Sequence, residues 1–281
     1  MLSLKRKKLI VLTGLLIFLA VFTIWLYWGN VSVQTTEIAI HHQEMPDAFR
    51  GFQIAQVSDL HNAQFGSRQK DLLSRLQAAS PDLIAVTGDL IDSSHTNLTA
   101  ALDFIRGAAD IAPLYFVTGN HEAWIENYEA MEQQLIQAGA IPLRDTGIEL
   151  KRGDASIFLL GMDDPAFDGG MKAADNMDKK IKAQNIGESD FTVLLSHRPE
   201  LFEVYVSNQM DLVLSGHAHG GQFRLPWIGG IIAPNQGFFP RYTAGVYEKE
   251  RTKMLVSRGL GNSVIPVRFN NRPELIILTL D

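Results

Sequence analysis

Apolar and polar positions fall into two patterns along the chain. Residues 9–28 are twenty consecutive positions without a charge, behind a basic cluster of Lys5, Arg6, Lys7 and Lys8. At helical rise such a run crosses the hydrocarbon core of a bilayer. Its far end carries Trp25, Tyr27 and Trp28, residue types that favour the membrane interface. The positive-inside rule puts the basic cluster in the cytoplasm and everything beyond residue 28 outside. A cleavable signal peptide would share the basic start. However, the run is long for one, and WLYWGNVSV holds no small-x-small cleavage site. The pattern therefore predicts a cytoplasmic basic segment over residues 1–8, an uncleaved single-pass anchor over 9–28, and an extracytoplasmic domain over 29–281. No twin-arginine pair is present, which points to an ordinary export route.

Beyond the anchor come short apolar runs bounded by turn residues. VSVQTTEIAIH alternates as an edge strand does. Five later runs each end in polar residues. FQIAQVSDLH ends at Asp59 and His61, DLIAVTGDLID at Asp89, and PLYFVTGNHE at Asn120 and His121. FTVLLSH ends at His197, and MDLVLSGHAH at His217 and His219. All are rich in Val, Ile, Leu or Phe, the composition of strands buried on both faces. SIFLLGMDD and MLVSRG are further strand candidates.

Helical patterns lie between them. Ser67 is placed to cap a helix carrying Leu72, Leu73, Leu76 and Ala79 on one face. Leu98, Leu102, Ile105 and Ala109 mark a second, and residues 124–138 read as a third. Pro199 suits the first turn of a fourth, with Leu201, Phe202, Tyr205 and Val206 inward. Strands alternating with helices, followed by a mainly β region from Phe223, predict an α/β sandwich.

Composition adds exclusions. A chain of 281 residues with 46% hydrophobic content has an ordinary core. The absence of cysteine excludes disulfides, thiolate metal sites and cysteine nucleophiles. The chain holds 25 Lys and Arg against 31 Asp and Glu; four of the basic residues sit in the N-terminal cluster, leaving 21 for the rest. An acidic domain without a long basic run is a poor fit to nucleic acid.

The polar residues at the run ends are the candidate chemistry. In open α/β sheets ligands bind beyond the carboxyl ends of the strands. Five of the eight histidines fall at such ends, leaving His41, His42 and His95 as surface residues. Asp59, His61, Asp89, Asn120, His197, His217 and His219 are all nitrogen or oxygen donors, a set suited to Mn, Fe or Zn. Seven donors exceed one tetrahedral site and match two divalent ions sharing a carboxylate. Two metals about 3.5–4 Å apart clamp the attacking and leaving oxygens of phosphoryl transfer.

The ordered set D-x-H, G-D, G-N-H-E, H and G-H-x-H, from Asp59 to His219, resembles the calcineurin-like metallophosphoesterase family. GHAHGGQFRLP, GMDDP and the tail SRGLGNSVIPVRFNNRPELIILTL resemble a membrane-associated bacterial branch of it. Some of that branch resembles hydrolases of UDP-2,3-diacylglucosamine. The resemblance implies a four-layer αββα sandwich behind the anchor. It implies that Asp59, His61 and His219 hold one metal, that Asn120, His197 and His217 hold the other, and that Asp89 bridges them. It further implies hydrolysis by a water whose pKa the metals lower, with His121 hydrogen-bonding the phosphate and assisting the leaving oxygen. Asp92 is expected to orient a ligand or to cap a helix, and Glu122 is open between the same kinds of role.

The expected substrate is a phosphodiester, phosphomonoester or pyrophosphate, with a lipid-linked or envelope phosphate suggested by the anchor. Residues 162–190, with a short amphipathic helix near 171–184, could cover the site or form a solvated insertion. Trp124 and Tyr128 could stack on a substrate or belong to the core, and Arg224 and Arg241 could bind phosphate or pair with acids. Gly220 and Gly221 are expected to leave room for substrate. The competing reading is a metal-bearing scaffold that binds a partner protein without turnover.

Overall fold

The structure, a computed structural model, describes residues 4–184, 186, 187 and 191–281. Helix α1 (Leu4–Val31) precedes strand β1 (Gln34–Ile40). The first half of the domain continues through β2 (Gln53–Val57), α2 (Lys70–Ala79), β3 (Leu83–Thr87), α3 (Leu98–Ala109) and β4 (Leu114–Val117). Then come α4 (Asn120–Ala123), α5 (Tyr128–Gln137) and β5 (Ala140–Pro142). The second half holds β6 (Thr146–Arg152), β7 (Ala155–Gly161), α6 (Ala173–Lys182), β8 (Thr192–Leu195), α7 (Phe202–Ser207) and β9 (Leu212–Ser215). Two small hairpins follow, β10 (Arg224–Leu225) with β11 (Gly229–Gly230) and β12 (Ile232–Ala233) with β13 (Gly237–Phe238). Strands β14 (Gly245–Lys249), β15 (Thr252–Val256) and β16 (Glu274–Leu280) close the chain.

The strands form two six-stranded sheets, ordered β1-β16-β2-β3-β4-β5 and β14-β15-β9-β8-β7-β6. The last strand crosses back to pair with both β1 and β2, which ties the C-terminus into the first sheet. Because side chains alternate across a strand, each sheet feeds two cores. Ile54, Ala85 and Val117 of the first sheet meet Leu159, Val193 and Leu214 of the second in a shared central core. Ala55, Val86 and Phe116 face the other way, onto Leu76, Phe104 and Leu135 of α2, α3 and α5. Leu160, Leu194 and Val213 face Met177, Ile181 and Phe202 of α6 and α7. Three cores separate four layers, helix-sheet-sheet-helix, as the resemblance implies.

Some local expectations need correction. Ser67 lies in a 3-10 turn and does not cap α2, whose N-cap is Gln69 in a left-handed conformation. The run over residues 124–138 splits, since α5 starts only after Asn127, whose side chain accepts the Ala130 N–H at 3.1 Å. His42 is buried, with Nε2 2.7 Å from the Arg251 carbonyl, so it is not a surface residue. Helix α6 is a wall of the third core rather than a cover, because Met177 and Ile181 are buried in it. Within the segment 162–190, Asn185 and residues 188–190 lie outside the described residues.

Candidate active site and metal centre

The parallel core of each sheet brings several strand ends to one edge. Asp59 and His61 follow β2, Asp89 follows β3, Asn120 and His121 open α4, His197 follows β8, and His217 and His219 follow β9. All of these residues are buried. Five hold a left-handed backbone: Asp59 (φ 53°), His61 (44°), Asp89 (55°), His217 (64°) and His219 (46°). Such conformations are unfavourable for residues with a Cβ and persist where surrounding contacts impose them. Here the contacts run between loops. Asp59 N–H donates to the Gly88 carbonyl (3.0 Å), His61 N–H to the Asp89 carbonyl (3.0 Å), and His217 N–H to the Asp59 carboxylate (3.1 Å).

The side chains converge in two groups that share Asp89. Asp59, His61, Asp89 and His219 have donor atoms within 4.8 Å of one another, and so do Asp89, His197 and His217. Asp89 Oδ2 stands 3.5 Å from His61 Nε2 and 3.2 Å from His197 Nε2. In the first group His219 Nε2 is 3.2 Å from His61 Nε2 and 3.4 Å from Asp59 Oδ1. In the second, His217 Nδ1 is 3.1 Å from His197 Nε2. Outer hydrogen bonds set the ring tautomers. His197 Nδ1 donates to the Thr87 carbonyl (2.7 Å), and His217 Nε2 donates to Asn235 Oδ1 (2.9 Å). His197 Nε2 and His217 Nδ1 therefore both point into the centre.

This donor set fits divalent ions. Among the described residues, Asn120 Oδ1 is a buried carbonyl oxygen with no hydrogen-bond partner, an uncommon state for such an atom. Burial pushes His61 down to about 4 and holds His217 and His219 well below the ordinary histidine range, so these rings are neutral with free lone pairs. His197 differs: burial opposes its charge, but Asp89 beside it lifts it to about 10. Burial also lifts Asp59 to about 6. The mixture of imidazole, carboxylate and amide suits Mn, Fe or Zn.

His121 stands beside the first group, its ring 4.6 Å from that of His61 and nearly perpendicular to it. The Ser93 N–H donates to His121 Nδ1 at 3.0 Å, so in the neutral ring the proton sits on Nε2. Asp92 caps the turn that presents Ser93, accepting the Ser94 N–H at 2.9 Å. Glu122 is a clamp. Its carboxylate accepts N–H groups of Gly119, Asp89 and Leu90, each at 2.8 Å, and so joins the loops after β3 and β4. Gly119 permits this approach, since a Cβ there would strike the Asp89 carboxylate.

Several surrounding residues carry little local signal in the sequence. Arg198 makes a two-pronged pair with Asp164 (2.5 and 2.8 Å) and donates to Asn235 Oδ1 (3.0 Å), the oxygen that orients His217. Asp164 could have been found by the logic used for the ligands, because GMDDP also ends an apolar run. Arg268 is fully buried, reaches within 3.4 Å of His219 Nδ1, and no nearby pattern announces it. Of the suggested substrate contacts, Tyr128 is core, whereas Trp124 is exposed at the rim with its ring 5.1 Å from that of His121. Arg224 donates to the Gly220 carbonyl and Arg241 pairs with Glu203, so neither reaches the site. The space at Gly220 and Gly221 is taken by Asn271 and Gly230, so it serves chain packing rather than substrate.

Comparison with known proteins agrees with this geometry. The family model described as calcineurin-like phosphoesterase matches residues 52–221, which include every candidate ligand. An uncharacterized metallophosphoesterase of Bacillus subtilis, YkuE, is 32% identical over 254 residues, covering 88% of this chain and 85% of that protein. The Escherichia coli phosphodiesterase YaeI is 30% identical over 236 residues, covering 82% of each chain. A Danio rerio transmembrane protein with metallophosphoesterase domain is 27% identical over 256 residues, covering 88% of this chain and 57% of that protein. The fold, the buried Asp and His cluster and these matches lead to one conclusion: the chain is a metal-dependent phosphoester hydrolase and belongs to the calcineurin-like phosphoesterase family.

Proposed function

We propose that the chain is a membrane-anchored phosphoesterase that uses two divalent ions on the outer side of the membrane. The observation that carries this reading is the pair of donor groups meeting at Asp89 Oδ2. Asp59, His61 and His219 would hold one ion, Asn120, His197 and His217 the other, with Asp89 between them. Bound there, the ions supply positive charge for the phosphate oxygens and lower the pKa of an attacking water.

The protein's own groups do the rest. Asp59, Asp89 and the imidazoles are held by the loop-to-loop hydrogen bonds before any substrate arrives, so little reorganisation is needed. His121 carries a proton on Nε2, fixed there by the Ser93 N–H, and offers it as a hydrogen bond to the leaving oxygen, whose proton comes from the attacking water. Trp124 at the rim offers an apolar face to the group that leaves. The reaction adds water across the ester and yields an alcohol and a phosphate, or two phosphates from a pyrophosphate. The resemblance to a named phosphodiesterase favours a diester.

The anchor reading is supported by α1, a helix of 28 residues with mean hydropathy 2.7 in its most apolar window and no buried residue. A reporter fused after Asp281 tests the orientation, and only activity of an extracytoplasmic reporter agrees with it. Hydrolysis is tested with bis-p-nitrophenyl phosphate and p-nitrophenyl phosphate in Mn²⁺. Turnover of the diester that stops on chelation is the expected result.

A further inference from the structure

The candidate site opens at the end of the molecule where α1 enters. Strand β1 runs parallel to β16, with Gln34 opposite Glu274, and β16 runs antiparallel to β2, which leads into Asp59. The start of β1 therefore shares an edge with the loops of the site. Contacts fix the junction. The Asn30 side chain donates to the Arg268 carbonyl (3.0 Å) and accepts the Arg268 N–H (2.7 Å). The Trp25 ring lies 5.4 Å from that of Phe269, and the Arg272 guanidinium lies 4.4 Å from the Trp28 ring. Arg272 also donates to Ser32 Oγ (2.8 Å), and only Ser32 and Val33 separate α1 from β1.

Beside this junction stand the two small hairpins. The first begins on the segment that Trp25 touches, since the Arg224 N–H donates to the Phe269 carbonyl at 3.0 Å. Large apolar side chains of both hairpins face solvent: Trp227 is 103% exposed, Ile228 59%, Phe238 72% and Phe239 71%. Val264, 92% exposed, stands on the neighbouring loop, whose Ser263 Oγ lies 3.3 Å from His121 Nε2. Single exposed apolar residues are ordinary, but a group on adjacent segments marks an interaction surface. A groove of about 360 Å³ lies between hairpin and loop, with Ile232, Pro234, Ile265 and the candidate ligand His219 in its walls.

We propose that the hairpin face rests in the outer lipid leaflet, and that the groove takes the apolar tail of an amphiphilic phosphoester whose phosphate lies at the metal centre. The proposal rests on the phosphoesterase and anchor readings above. The occupant follows from position. The two-residue linker and the α1 contacts keep this face against the bilayer that α1 spans, which leaves no approach for a second copy or a soluble partner. Trp and Phe side chains projecting there match the amphipathic interface of a membrane.

The chain has no cysteine, so single labels can be placed in the full protein. NBD fluorophores go on Trp227→Cys and Phe238→Cys, with Lys151→Cys as control. Lys151 pairs with Ser156 at the end of the second sheet opposite the site. In vesicles of phosphatidylethanolamine and phosphatidylglycerol, nitroxide-labelled lipid should quench the first two labels at least about threefold more than the third. Equal quenching at all three would overturn the membrane face, including a result in which labels are blue-shifted yet beyond the reach of lipid, as between two copies.

The tail groove is read separately, as kcat/KM for p-nitrophenyl octyl phosphate against p-nitrophenyl methyl phosphate. A preference for octyl of at least about tenfold is expected, because each methylene leaving water is favourable. Val264→Asp should reduce that ratio. A ratio near one in the unaltered chain would overturn the groove. Release of p-nitrophenol from neither diester would overturn the phosphoesterase reading and the substrate assignment with it, while the labels would still report on the membrane face.

Discussion

At the scale of single residues, the left-handed backbone at five candidate ligands is the local strain on which the site is built. Left-handed conformations of this kind are unfavourable by about 1–3 kcal/mol each, and here backbone carbonyls of neighbouring loops and the Asp59 and Glu122 carboxylates hold them in place. Glu122 is the clearest case, since it satisfies three backbone N–H groups of two loops. Glu122→Ala leaves those donors unpaired and should lower unfolding free energy by about 3 kcal/mol in denaturant titrations, with weaker Mn²⁺ binding by calorimetry. His121→Ala should behave differently. In the proposed role His121 offers a hydrogen bond to the leaving oxygen and holds no ion, although it stands within ligand reach of His61 and Asp92, so bound metal should be retained while kcat falls about 10²-fold or more. Loss of metal in that variant would make His121 a ligand and contradict its assigned role. The Asp and His residues of the two groups that share Asp89 were legible in the sequence because each closes an apolar run. Asn235 and Arg268 were not, because their partners are distant in sequence and only tertiary packing joins them.

At the scale of elements, the strands were more legible than the helices. A strand buried on both faces has a continuous apolar signature, and β2, β3, β4, β8 and β9 all follow it. Helix ends depend on caps, and those of α2 and α5 escaped the pattern because Gln69 and Asn127 take over the positions expected for Ser67 and residue 124. Between elements, the pair of Arg198 with Asp164 is a buried charge pair beside the candidate ligands. It links β8 and β7 to the hairpin residue Asn235. Asp164→Ala strands the buried guanidinium, and breaking such pairs lowers stability by about 3–5 kcal/mol. A change within the error of the denaturation midpoint would show that solvent reaches Arg198 and that the pair is not a support for His217.

At the scale of the whole molecule, two sheets direct their strand ends to one edge, and the apolar helix α1 joins that edge. The sandwich brings the Asp and His side chains that follow β2, β3, β8 and β9 together while each sheet keeps both faces buried. Ions that bind only the folded site stabilise it by mass action, by roughly 2.7 kcal/mol at a hundredfold excess over Kd. Chelation should therefore lower the melting temperature, and Mn²⁺ should restore it. The measurement that bears most directly on the central claim is made on the full chain in detergent: bound metal per chain by elemental analysis, paired with bis-p-nitrophenyl phosphate turnover, for the unaltered protein and for Asp89→Asn. The account predicts two ions and metal-dependent turnover in the first, and fewer ions with turnover reduced at least about 10²-fold in the second, because one carboxylate serves both ions. Full occupancy and full turnover in Asp89→Asn would contradict the shared centre.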